Sequence, residues 1–173
     1  MEFLEKDLEE IIYTSERGEL LDRGLSIFGK LYRQFKVGNY GIADLIELQR
    51  PLYHTYFKKH EKGVIYIYEL KLNNVSPSSF LQAVRYAKGI HSYLNQRGIA
   101  HLYDIEIVLI GNKVDVESSF IFLADLFMKH EGFKFVGDDI GTYLSIYGYK
   151  YSVSGITFQR HVDYKLINDG FRV

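Results

Sequence analysis

Two charged residues stand in the most apolar stretch of this chain. Val64 to Leu72 reads VIYIYELKL, a run of β-branched, aromatic and aliphatic residues with the composition of a buried strand. Glu69 and Lys71 interrupt it. Strand side chains alternate faces, so these two emerge side by side, and taking a carboxylate and an amine out of water has a desolvation cost. Upstream, Asp44 sits inside a second apolar run, Gly41-Ile42-Ala43-Asp44-Leu45-Ile46. If the two strands are neighbours, both carboxylates converge at one end of the sheet with the amine alongside. Hard divalent cations take oxygen ligands, and Mg²⁺ is typically held by one or two carboxylates plus waters and substrate phosphates. Lys71 could orient or deprotonate an attacking water, or stabilise charge on a phosphate. Taken alone, Glu69 and Lys71 read better as an ion pair on a half-exposed edge strand, worth little to stability; Asp44 and the helix that follows put the metal site ahead.

The elements around these residues must hold them in place. Asn73 and Asn74 are expected to close the Glu69 strand, after which Ser76 is a plausible N-cap and Pro77 a first helical residue. The helix runs from Pro77 to Asn95 and stops near Gly98. On it Gln82 and Tyr86 share a face, with Arg85 and Lys88 beside them to meet phosphates. At the start of the chain, Phe3, Leu4, Leu8, Ile11 and Ile12 form a helical apolar stripe with acids between them. Glu5 and Glu9 lie on the same side of that helix; either could hold a water near the site, and a solvated acidic face reads about as well. Residues 14 to 24 suggest a turn or short helix bounded by Gly18 and Gly24. Leu31 to Val37 and Tyr40 to Leu48 read as strands joined by a Gly38-Asn39 turn.

In order, these motifs carry a resemblance. An Asp in a short apolar strand, then a Glu-x-Lys strand, then a helix with Gln-x-x-x-Tyr resembles the PD-(D/E)XK, or restriction-endonuclease-like, nuclease superfamily. Here they are Gly41-Ile42-Ala43-Asp44, Glu69-Leu70-Lys71 and Gln82-Ala83-Val84-Arg85-Tyr86. Leu4-Glu5-Lys6-Asp7-Leu8 is similar to the opening helix of the nuclease domain in NucS-type endonucleases, which gives a Glu to the site in many members. The resemblance implies Mg²⁺ or Mn²⁺ on Asp44, Glu69 and the main-chain carbonyl of Leu70, with Lys71 catalytic. Glu5, Gln82 and Tyr86 would support the site. It implies a DNA substrate, a metal-dependent deoxyribonuclease, and a partnership as homodimer that nothing else in the sequence supports. A nuclease-like fold used for binding or assembly without catalysis is the competing expectation.

The rest of the chain bounds these readings. At 173 residues it suggests one domain, with the motifs in roughly residues 1–112 and a helix and strands over 113–173. Hydrophobic residues make up 47% and aromatics 16%, which excludes a disordered tail. A net charge of −1 excludes a globally basic coat for nucleic acid, although local cationic patches can still grip phosphates. Absence of cysteine excludes disulfides and thiolate metal sites. The acidic first residues are unlike a signal peptide, no apolar run has membrane-spanning length, and a cytoplasmic protein is expected. The stretch from Gln49 to Gly63, with Arg50, Lys58, Lys59 and Lys62 among Tyr53, Tyr56 and Phe57, is a candidate arm for unpaired bases or simply a solvated connection. Ile105–Ile110, Phe133–Val136, Thr142–Tyr151 and Ser154–Arg160 read as strands, the first ending at Gly111-Asn112, and Val116–Lys129 as an amphipathic helix. The alternation argues α/β: a central mixed β-sheet flanked by helices, a restriction-endonuclease-like core with extra C-terminal strands.

Overall fold

The structure is a computed structural model and describes residues 3–54, 59–114 and 140–161. It is an α/β fold built on one six-stranded mixed sheet. Helices α1 (Glu5–Thr14) and α2 (Arg17–Asp22) lead into a hairpin of β1 (Lys30–Lys36) and β2 (Ile42–Gln49). Its turn is a single 3₁₀ turn, Gly38–Tyr40, with Gly38 at φ +50°. A two-stranded ribbon of β3 (Leu52–His54) and β4 (Lys59–Glu61) then leads to β5 (Gly63–Val75). Helix α3 (Pro77–Gln96) crosses over to β6 (Tyr103–Val114), and β7 (Thr142–Ser152) and β8 (Gly155–Arg160) complete the sheet. The order is β1-β2-β5-β6-β7-β8, with β5, β6 and β7 mutually parallel and the outer pairs antiparallel.

Both faces of the sheet are covered, which is why its central strands read as nearly unbroken apolar runs. Ile65 and Ile67 of β5 join Ile105, Ile107 and Leu109 of β6 under α3, which contributes Phe80, Ala83, Tyr86, Ala87, Ile90 and Leu94. The alternate residues Tyr68, Leu70, Val108 and Ile110 pack on the other face against Leu8 and Ile12 of α1 and Leu20 of α2. Full burial of such a side chain contributes about 1.5–3 kcal/mol, so register is held firmly here. Strand parity therefore assigns Glu69 to the α3 side.

Three local expectations change. Asn73 and Asn74 do not close β5, nor does Gly111-Asn112 close β6. After a register shift beyond Lys71, Asn74 pairs with Lys113 and Val75 with Val114. Parallel pairing satisfies each strand's backbone and overrides the weak strand preference of Asn and Gly. Ser76 does occupy the N-cap of α3, but its hydroxyl bonds those of Ser78 and Ser79 rather than a helix amide. The helix expected over Val116–Lys129, the strand over Phe133–Val136, and Tyr56, Phe57 and Lys58 of the basic connection lie outside the described residues. Among the described residues no helix is long and apolar enough to cross a membrane.

One irregularity bears on the site. Gln34 has φ +47°, the one non-glycine residue with positive φ among those described. The β1–β2 ladder pairs Arg33 with Leu45 and Phe35 with Ala43, and skips the Gln34–Asp44 position between them. Arg33 and Gln34 consequently both reach Glu9 of α1, while Tyr32 and Phe35 meet on the opposite face with ring centroids 5.9 Å apart.

Candidate active site where two strands part

Pairing between β2 and β5 runs from Gln49↔Val64 to Leu45↔Tyr68 and stops there. Past that point the amides of Leu70 and Leu72 find carboxylates in place of a strand partner. Leu70 N–H donates to Asp44 Oδ2 at 2.8 Å, and Leu72 N–H donates to Glu5 Oε2 at 3.2 Å. Residues two apart in a strand direct their N–H groups to the same edge, so the fork brings Asp44 from β2 and Glu5 from α1 to neighbouring positions on β5. The chain entering α1 is held by Phe3, which stacks on Tyr151 with centroids 4.6 Å apart, and the end of β5 is held by Tyr149, which donates its hydroxyl hydrogen to the Leu72 carbonyl at 2.7 Å.

Glu69 and Lys71 complete the group. Lys71 Nζ lies 2.6 Å from Glu69 Oε1 and 3.8 Å from Glu5 Oε1. Glu69 is 1% exposed, and its Oε2 is buried with no hydrogen-bond partner. Burial pushes the Glu69 carboxyl up to about 7; Lys71 opposes this, while the charges of Asp44 and Glu5 reinforce it. Asp44 rises to about 6, again chiefly through burial, against the Leu70 amide and Lys71. Burial works to lower the Lys71 pKa, but the bond and charge of Glu69, with Glu5 and Asp44, more than offset it and the ammonium is held above its usual range.

A different fate for a buried acid is visible at Glu47, also on β2. It is fully buried, yet its oxygens accept from the amides of Phe28 and Gly29, the Gln49 amide and the Tyr68 hydroxyl at 2.6–2.8 Å. That carboxylate is saturated by the fold; Glu69 is not. The sequence around Glu47 does not mark it, because three of its four donors arrive from a loop and a neighbouring strand.

The remaining candidates fall into place unevenly. Between Glu5 and Glu9, Glu5 lies at the site, whereas Glu9 is turned to Arg33 and Gln34. Gln82 Nε2 donates to the Tyr86 hydroxyl at 2.8 Å. Tyr86 is buried, and a Cβ on Gly41 (φ +123°) would stand 2.8 Å from its ring, so the ring supports the turn entering the Asp44 strand. Arg85 is exposed, its guanidinium 5.7 Å from the Tyr86 ring centre, and Lys88 lies half-buried one turn on. Lys59 belongs to β4, on the ribbon rather than at the fork, and Lys58 lies outside the described residues. Nothing in the local pattern marks Tyr149, Arg33 or Gln34 as supports, since their roles depend on contacts between elements distant in the chain.

Among the described residues, no group of three or more His, Asp or Glu side chains is arranged to hold an ion. The donor set at the fork is smaller: two carboxylates and the Leu70 carbonyl, which opens onto the same strand edge as its N–H. All are hard oxygens, and the unpartnered Glu69 Oε2 lacks a counterpart that a divalent cation would supply. The residues fit such a cation. Comparison of the chain with protein-family models, with curated proteins and with solved structures finds no match.

Proposed function

We propose that this chain is a metal-dependent nuclease that hydrolyses DNA phosphodiester bonds at the β2–β5 fork. One observation carries the reading: a carboxylate removed from water, with one oxygen unpartnered, beside a second acid and an ammonium where two strands separate. Keeping such a group costs stability, as expected of a site retained for chemistry. Asp44, Glu69 and the Leu70 carbonyl would hold Mg²⁺ or Mn²⁺. When bound, the cation lowers the pKa of a water and offsets charge building on the phosphate.

The chain's own residues supply the rest. Lys71, held as an ammonium by Glu69, suits orienting the nucleophilic water and stabilising negative phosphate oxygens better than it suits taking a proton. A cation on Glu69 would compete with that ammonium and turn it toward substrate. Asp44 is held in orientation by the Leu70 amide, and Glu5 by the Leu72 amide. Tyr86 and Gln82 act on the turn before Asp44. By resemblance to the superfamily, water attacks phosphorus, the bond to the 3′ oxygen breaks, and that oxygen leaves protonated, giving a 5′-phosphate and a 3′-hydroxyl.

A second reading, a nuclease-like module that binds without cleaving, is favoured by the Glu69–Lys71 contact, because a pair already neutralised has less need of metal. Two measurements separate them. Isothermal titration with Mg²⁺ and Mn²⁺ should show binding that Asp44→Asn removes. Cleavage of mixed DNA substrates should require the cation and be lost in Asp44→Asn and Lys71→Met, both still folded by circular dichroism. Cleavage surviving in either variant would refute the proposal, and absence of carboxylate-dependent binding would favour the silent module.

A further inference from the structure

On the α3 side of the sheet, away from the fork, α3 leaves part of β1 and β2 uncovered. The result is a groove of about 630 Å³. Its rim carries Tyr32, Phe35 and Tyr40 on one side and Tyr93 on the other, with Ile65 and Ile90 in its floor. Several of these rings are open to solvent: Tyr93 is 54% exposed and Phe35 39%. The kink at Gln34 is what brings Tyr32 and Phe35 to this one face, so the aromatic pair depends on a backbone conformation that costs free energy.

Charge is segregated here. The chain has 22 acidic residues, yet neither β1 (KLYRQFK) nor the 20-residue α3 contains one. Lys36 lines the groove, Lys30 Nζ lies 5.0 Å from the Tyr32 ring centre, and the Arg97 guanidinium 5.4 Å from that of Tyr93. A cationic rim around exposed aromatic faces is the chemistry that holds an unpaired strand, with bases on rings and phosphates on cations. The same rim disfavours a second copy of this chain, because a two-fold contact would set it against itself.

We infer that this groove binds single-stranded nucleic acid through base stacking on Tyr32, Phe35 and Tyr93 and phosphate contacts from Lys30, Lys36 and Arg97. The inference deepens the nuclease reading by naming the form of substrate, and rests on that reading only for the choice of nucleic acid among polyanions. Its route to the fork is α3 itself, whose Arg85 and Tyr86 meet Gly41 next to Tyr40.

The test is fluorescence anisotropy of the whole chain with labelled oligothymidylate of about ten nucleotides in EDTA, where metal-dependent cleavage cannot occur. Binding is expected, with a log–log salt slope near −2 for three phosphate contacts on a single strand. Tyr93→Ala and Lys36→Glu, both at exposed positions, should each weaken it about fivefold or more while leaving circular dichroism unchanged. Duplex of the same length should compete poorly. No binding by the wild-type chain, equal binding by the variants, sedimentation showing that the groove instead forms a dimer, or preference for phosphatidylserine vesicles would each overturn the inference. Oligonucleotide binding without any metal-dependent cleavage would sink the nuclease and leave the groove standing. Cleavage of single strands by groove variants at the wild-type rate and affinity would do the reverse.

Discussion

Replacing Glu69 by Gln should make this protein more stable and abolish the metal binding proposed above. Burial raises the Glu69 carboxyl from an ordinary 4.5 to about 7. At roughly 1.4 kcal/mol per pH unit, ionised Glu69 costs the fold about 3 kcal/mol relative to its protonated form. Between those values the folded chain keeps a proton that the unfolded chain has released, so stability falls as pH rises through the window and is lowest above it. Glutamine resembles the protonated acid and can still accept from Lys71. Allowing for the coupling to Lys71 and Asp44, Glu69→Gln should gain about 2 kcal/mol at pH 8 and less than about 1 at pH 5. For a chain of this size that is roughly 4–8 °C in Tm at the higher pH. Mg²⁺ should cancel this advantage, since a cation at about 100 times its Kd stabilises the wild type by about 2.7 kcal/mol and the variant not at all. Urea denaturation at both pH values, with and without Mg²⁺, measures all of this. Without Mg²⁺, a variant less stable than wild type at pH 8, or one whose advantage is the same at pH 5, would refute the account of Glu69 as a frustrated carboxylate.

Glu47→Ala tests the contrasting acid: four donors lose their acceptor in a fully buried place, so a loss of about 3 kcal/mol or more is expected by denaturation, with the metal affinity of whatever remains folded unchanged. Glu9→Ala should destabilise by about 1–3 kcal/mol and loosen the Gln34 kink opposite Asp44, read as faster hydrogen exchange of the Leu70 amide; adding Gln34→Gly, which tolerates positive φ, should restore that protection. Tyr149→Phe removes the hydroxyl on the Leu72 carbonyl and should cost about 1 kcal/mol, with metal affinity moving little because Asp44 and Glu69 keep their own anchors.

Much of the scaffold could be read from pattern. The apolar, β-branched composition of Val64–Leu72 marked a strand, whose period of two puts Glu69 and Lys71 on one face, and the contact at 2.6 Å follows from that period. Pro77 and Gly98 bracketed α3 within a residue or two, and the hairpin at Gly38-Asn39 placed β1 beside β2. Other features were hidden because they depend on pairing. Asn73-Asn74 and Gly111-Asn112 look like strand ends alone and become strand through pairing across the sheet, Gly111 with Lys71 and Asn74 with Lys113. Glu5 and Glu9 are indistinguishable on a helical wheel; β1, arriving with Arg33 and Gln34, takes one of them and leaves the other to the fork.

Which side chains can be neighbours within an element follows from the order of residues along the chain, because helix and strand periods are properties of the local backbone. That order therefore set the strand bearing Glu69 and Lys71, the helix bearing Gln82 and Tyr86, and the stripe bearing Glu5. Where β2 leaves β5 is set by the packing of the whole sheet, and that parting turns Asp44 and Glu5 from ordinary acids into acceptors for the Leu70 and Leu72 amides. The same packing decided that Glu47 is satisfied while Glu69 is left with an open oxygen. Desolvation and hydrogen bonding depend on what surrounds a group in space, and residues far apart in the chain supply those surroundings.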